Sequence, residues 1–257
     1  MIHLPILVFD IETVEDIETG KRMHQLDLPD DEAALALSNL RKQETGQDFP
    51  RLPFHEIVCI SGMWIEEGSM KLFSFSQADL TEAQILAKFL AIFDKREPTL
   101  VSWNGSGFDI PVILYRAMLH KLSAVGLLDQ GEHDARKRQN NYQNRYHQRH
   151  TDLMDVLAMF NTRNFQKLDH MAQLLGFAGK QGTSGADVAA MVRAGQWSEL
   201  SQYCESDVLN TWLIYLRWQL LRGALDLGGH EEWLQLTQDF LAEGRHKRIL
   251  GYKGMLG

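Results

Sequence analysis

The chain has 257 residues, is 44% hydrophobic and carries 26 basic against 34 acidic side chains, a formal net charge of −8. That length supports one large domain, or one domain with a substantial appendage, and is enough for a real core, and the acidic balance excludes a protein that holds nucleic acid by bulk positive charge alone. Two cysteines, Cys59 and Cys204, make no disulfide framework and read as small apolar fillers in a reducing compartment. The N-terminus lacks a basic leader and reaches Asp10 too soon for a signal peptide, and no apolar run approaches the ~20 residues of a bilayer span. A soluble, cytoplasmic protein without membrane association is expected.

Ile6–Phe9 is a short continuous apolar run, the pattern of a central strand buried on both faces. Residues 15–55 are polar and acidic, with Pro29, Pro50 and Pro53, and read as a long excursion from the sheet in which "DDEAALALSNLRKQ" is a surface helix. "EIVCISGMWI" (56–65) and "MKLFSFS" (70–76) are strands joined by a hairpin turn at "EEGS". "TEAQILAKFLAIFDK" (81–95) has helical apolar spacing with Thr81 as N-cap, "TLVSW" (99–103) returns to strand, and "IPVILYRAMLHKL" (110–122) is a helix with Pro111 in its first turn. "TDLMDVLAMF" reads as a last strand entering a helix, and the remainder is helical, including the long "WSELSQYCESDVLNTWLIYLRWQLLRG". The order predicts an α/β protein, a mixed sheet with helices packed on it.

Three places carry candidate chemistry. In "LPILVFDIETVED" (4–16) the apolar run stops at Asp10 and Glu12, which share one face if the strand continues, with Ile11 turned to the core. Taken alone, they also fit loop acids beyond a strand that has ended. In "LVSWNGSGFDIPVI" (100–113), Asn104, Phe108 and Asp109 lie on a strand-to-helix loop, where α/β ligand sites form. Asp109 also fits a plain N-cap, but a cap needs neither Gly105 nor Gly107, which point to close backbone approach or positive φ. In "YCESDVLNTW" (203–212), Tyr203 and Asp207 share a helix face. Four carboxylates and a phenol from strand ends and a helix are what two-metal phosphoryl transfer requires. Hard oxygen ligands suit Mg²⁺ or Mn²⁺, and a phenol with an ordinary pKa of ~10 stays neutral and orients water.

The segments D-x-E-T (10–13), N-x3-F-D (104–109) and Y-x3-D (203–207) resemble the motifs of the DEDD 3′–5′ exonucleases. Tyr203 lies four residues before the last acid and Gln202 stands where the His branch has its histidine, so the chain resembles the DEDDy branch. "FHEIVCISG", "LDHMAQLLGF" and "YCESDVLNTWLIYLR" look most like the stand-alone bacterial exonucleases related to the family B polymerase proofreading domain. The resemblance covers about residues 5–220 and implies a ribonuclease H-like mixed five-stranded sheet flanked by helices, with a helical C-terminal part. Residues 1–225 would be the exonuclease domain, with 15–55 as an excursion, and 226–257 a C-terminal helix and basic tail. It implies that Asp10, Glu12 and Asp207 hold one divalent ion and that Asp10 and Asp109 serve a second. Asn104, Phe108 and the backbone around Thr13 would touch the terminal nucleotides. The implied activity is metal-dependent 3′–5′ hydrolysis of single-stranded or frayed DNA, releasing nucleoside 5′-monophosphates. The same chemistry on RNA, and a catalytically silent nucleic-acid-binding module, are the alternatives.

Other segments weigh less. "GEHDARKRQNNYQNRYHQRH" (131–150) is basic with Tyr142 and Tyr146 interleaved; it reads as a polar loop or as a clamp on single-stranded nucleic acid. His147 and His150 lack the further ligands of a zinc site. "GFAGKQGTSG" (176–185) reads as a helix C-cap and turn rather than a phosphate loop. Trp212, Tyr215 and Trp218 read as packing residues.

Overall fold

The computed structural model describes residues 3–179 and 185–243. The middle of "GFAGKQGTSG" and the basic "RHKRILGYKG" lie outside these described residues. Five strands form one sheet: β1 (Ile6–Glu15), β2 (His55–Glu66), β3 (Ser69–Ser76), β4 (Thr99–Ser102) and β5 (His150–Asp152). Their order is β3-β2-β1-β4-β5. β1–β2 and β2–β3 pair antiparallel, whereas β1–β4 and β4–β5 pair parallel. The sheet is therefore mixed, with helices on both faces, as a ribonuclease H-like fold requires.

β1 lies in the middle, which explains its unbroken apolar run. Leu7, Phe9 and Ile11 pack with Ile85, Leu86 and Phe89 of α3 (Glu82–Lys95) and Val112 and Ile113 of α4 (Asp109–Leu119). Ile6 and Val8 turn the other way, toward Val208, Leu209 and Trp212 of the 25-residue helix α9 (Trp197–Leu221). Each side chain so buried contributes about 1.5–3 kcal/mol. The stop-and-turn chemistry foreseen locally is present: Thr81 and Gln84 make a reciprocal capping box at α3, and Gly68 turns the β2–β3 hairpin at φ 70°. Trp212 and Tyr215 are buried in the core, and α10 (Leu227–Ala242) adds Leu234 and Leu241 to the same cluster.

The excursion holds α2 (Asp30–Thr45), the surface helix expected, and also α1 (Ile17–His24), which the pattern did not announce. Asp16 caps α1 by accepting from Thr19 N at 2.8 Å. It also meets the buried guanidinium of Arg116, whose Nε donates to Glu82 Oε1 at 2.7 Å. The smaller helices are α5 (Val125–Leu128), α6 (Leu153–Leu157), α7 (Leu168–Leu174) and α8 (Val188–Arg193).

Candidate active site

β1 does not end at Phe9. It runs through Glu15, so Asp10 and Glu12 are strand residues continuing the Ile6–Val8 row onto the face that α9 covers. They are not loose loop acids: Glu12 is buried and Asp10 half-buried. Opposite them the ladder slips. Glu12 pairs with Cys59 but Thr13 with Ile57, leaving Val58 as an extra residue on β2, a bulge of the kind that re-aims side chains beside sites.

From α9, Tyr203, Cys204 and Asp207 are all buried. Cys204 Sγ lies 3.4 Å from the Asp10 carbonyl oxygen and 3.7 Å from Oδ2. One ligand atom each from Asp10, Glu12 and Cys204 lies within 4.8 Å of the others. Both cysteines are free and buried, the filler role foreseen, although closeness of Cys204 to Asp10 was not.

Asp109 follows the cap residue Phe108 and opens α4 rather than capping it. Its carboxylate crosses to β1, accepting from Ile11 N at 3.2 Å. β4 pairs with β1 only at Ile6–Val8, so the Ile11 N–H needs a partner elsewhere, and Asp109 meets that need between the two strand acids. Burial, with the charges of Asp152 and Asp207, pushes the Asp109 carboxyl up to about 7. Burial, then the charges of Asp207, Glu12 and Asp10, holds the Tyr203 phenol well above its usual range. All five predicted side chains thus share one electrostatic neighbourhood.

Asn104, half-buried, takes the left-handed conformation at φ 63°, one that Asn tolerates. The expected positive φ sits here, not at Gly105 or Gly107. Close approach does hold for Gly105, where a Cβ would stand 2.2 Å from Ser102 Oγ. Sequence reasoning missed Asp152, which ties this loop down: its two oxygens accept from Asn104 N and Ser106 N, both at 2.9 Å. Its signal was available, since Asp152 ends a parallel strand at the same sheet edge.

The 131–150 segment is held by several pairings within the protein. Arg136 pairs with Asp134, Lys137 with Glu97 at 3.4 Å, and the Tyr142 hydroxyl donates to Pro98 O at 2.7 Å from a buried ring. His150 bonds Ser102 Oγ at 2.8 Å, and His147 Nδ1 accepts from Asn141 N. Arg136, Arg138, Arg145 and Tyr146 are exposed, and the Arg145 guanidinium lies 4.8 Å over Phe160.

The donor set fits hard divalent cations. Clustered carboxylates that raise one another's pKa are relieved by positive charge, and oxygen donors suit Mg²⁺ or Mn²⁺. Cation-free protein therefore has a definite pH response. Burial pushes the Asp109 carboxyl from an ordinary 3.8 up to about 7 in the folded chain; the unfolded chain releases the proton first, and stability falls as pH rises through that window. In EDTA, Asp109→Asn is expected to remove part of the fall between about pH 4 and pH 7. Thermal unfolding across that range measures it, and parallel parent and variant curves would contradict it.

Residues 47–253 match a family model described as predicted 3′–5′ exonucleases related to the exonuclease domain of PolB. The chain belongs to this family. A search of curated proteins finds no match. The match to the exonuclease family includes the Asn104–Asp109 loop and the Tyr203–Asp207 helix face but begins downstream of Asp10 and Glu12. Asp10 and Glu12 lie outside the match, on the strand whose Ile11 N–H donates to Asp109 and whose Asp10 carbonyl approaches Cys204.

Proposed function

We propose that this member of the exonuclease family removes nucleotides one at a time from the 3′ end of single-stranded or frayed DNA by the DEDDy arrangement. Two divalent ions, Mg²⁺ or Mn²⁺, would be held by Asp10, Glu12, Asp109 and Asp207. Three observations support the reading: Asp10 and Glu12 lie within 4.8 Å of each other and of Cys204, Asp109 accepts from Ile11 N between those two strand acids, and the Tyr203 phenol feels the charges of Asp207, Glu12 and Asp10. Bound divalent ions supply acidification of water and charge relief on the leaving oxygen.

The chain's own groups do the rest. Tyr203 keeps its proton, because burial and three neighbouring acids oppose its ionisation, so its hydroxyl orients the attacking water by hydrogen bonding. Water adds to the terminal phosphorus and the bond to the 3′ oxygen of the preceding nucleotide breaks. That oxygen takes a proton, and the phosphate stays on the 5′ carbon of the released nucleotide. Asn104, Phe108 and the backbone at Thr13 position the terminal nucleotide. Asp152 keeps the Asn104 loop in shape. No described helix is long and apolar enough to cross a membrane, and two buried free thiols suit a cytoplasmic setting.

Mass analysis of products from single-stranded DNA with Mn²⁺ tests the reading. Nucleoside 5′-monophosphates are expected; 3′-monophosphates or oligonucleotide fragments would refute it. A matched RNA strand is expected to be cut more slowly, and equal rates would remove the DNA preference. Tyr203→Phe should lower kcat by about a hundredfold, the scale of a positioned proton-handling group, with Mn²⁺ affinity unchanged. A parental kcat would make Tyr203 a packing residue.

A further inference from the structure

The 15–55 excursion returns to the sheet beside the site, and its last turn carries a half-exposed aromatic ring, Phe49. Phe49 is 54% exposed and ends an exposed run, residues 42–48, that holds no other aromatic residue. Its ring centroid lies 5.0 Å from His55 and 5.9 Å from Phe108, and His55 meets Phe108 edge-on at 5.0 Å.

The ring group is tied directly to the acid cluster. Thr13, which follows Glu12, donates its hydroxyl to His55 Nδ1 at 2.9 Å. Nε2–H then donates to Pro50 O at 3.3 Å, one consistent tautomer. Phe108 immediately precedes Asp109. The residues flanking two of the predicted cation ligands thus converge on one buried imidazole, and Phe49 closes over it from outside. The Phe49 backbone is held in turn: its carbonyl accepts from Arg41 Nε at 3.0 Å, and Arg51 pairs with Glu44 at 3.0 Å. A half-exposed ring on a braced loop loses little freedom when something lands on it.

We infer that Phe49, with Phe108, forms a stacking wall for the unpaired terminal base of the strand, braced by His55, and that supplying this wall is the excursion's task. The inference rests on the proposed exonuclease reading. Stacking recognises a π-face and not a base identity, which suits an enzyme that must shorten any sequence. It also favours an end whose base is free over one still paired.

The test reads binding without hydrolysis. In EDTA, full-length protein is titrated against single-stranded DNA ending in 2-aminopurine, whose fluorescence falls on stacking. The parent is expected to quench the terminal base. Phe49→Ala should lose most of the quench and bind at least about fivefold more weakly, the low end of one base–aromatic stack, while Phe49→Trp restores both. A strand with an abasic 3′ residue should bind parent and Phe49→Ala alike. An unquenched base with the parent, equal quenching by Phe49→Ala, or equal weakening on the abasic strand would overturn the inference. Cleavage is scored separately with Mn²⁺: quenching without cleavage would sink the exonuclease reading and leave the wall, and cleavage without quenching would do the reverse.

Discussion

Asp10→Ala is expected to abolish 3′-end cleavage while leaving the protein folded. Altering mere hydrogen-bond partners of metal ligands costs about 10–100-fold, and Asp10 is placed as a ligand common to both ions, so the loss should exceed that range. Folding should survive for a physical reason. Asp10 is only half-buried and adds one more negative charge to the field of Glu12, Tyr203 and Cys204. Removing it relieves repulsion in the cation-free state. Thermal unfolding in EDTA should therefore place the variant at or above the parent, and added Mn²⁺ should stabilise the parent alone. A variant that still shortens DNA at more than a tenth of the parental rate would remove Asp10 from the site.

The second large effect concerns stability. Arg116 donates to Glu82 through Nε at 2.7 Å and through a terminal nitrogen at 2.6 Å, and its other terminal nitrogen meets Asp16. Glu82 also accepts from Ile57 N at 2.7 Å and contacts His120 Nε2 at 2.6 Å. One guanidinium thus joins the exit of β1, the start of α3 and, through Glu82, the start of β2 to the last turn of α4. The guanidinium holds the Asp16 carboxyl below its ordinary range against the opposing effect of burial. Arg116→Ala strands two buried carboxylates and is expected to cost about 3–5 kcal/mol. For a domain of this size that lowers Tm by roughly 10 °C. A fall of less than about 2 °C would show that the acids are reached by water and that the cluster is not a clasp.

The two variants differ in what a reader of the sequence alone could have said about them. Asp10, Glu12, Tyr203 and Asp207 were legible because their alignment depends on local periodicity: two residues along a strand, four along a helix. Thr81 and the hairpin at Gly68 were legible from local cap and turn chemistry. Arg116 was not, since it sits at an ordinary helical position and gains its role from Asp16 and Glu82, 100 and 34 residues away. Asp152 escaped because its partners are the backbone amides of a loop 46–48 residues upstream. Helix α1 has only eight residues, too few for a periodic signal, and it stands because Asp16 is both cap and ion-pair partner. In 131–150 Arg136 stays exposed while it and Lys137 have acidic neighbours at Asp134 and Glu97, pairings that composition cannot foresee.

The central claim is that the converging acids serve hydrolysis from one defined end. Single-stranded DNA labelled at its 3′ end, and the same strand labelled at its 5′ end, should be followed with Mg²⁺, Mn²⁺ or EDTA. With either cation, the 3′ label should be released at once as a mononucleotide while the 5′-labelled strand shortens in single steps, and EDTA should stop both. Immediate loss of the 5′ label, cuts within the strand, or shortening that persists in EDTA would contradict the account.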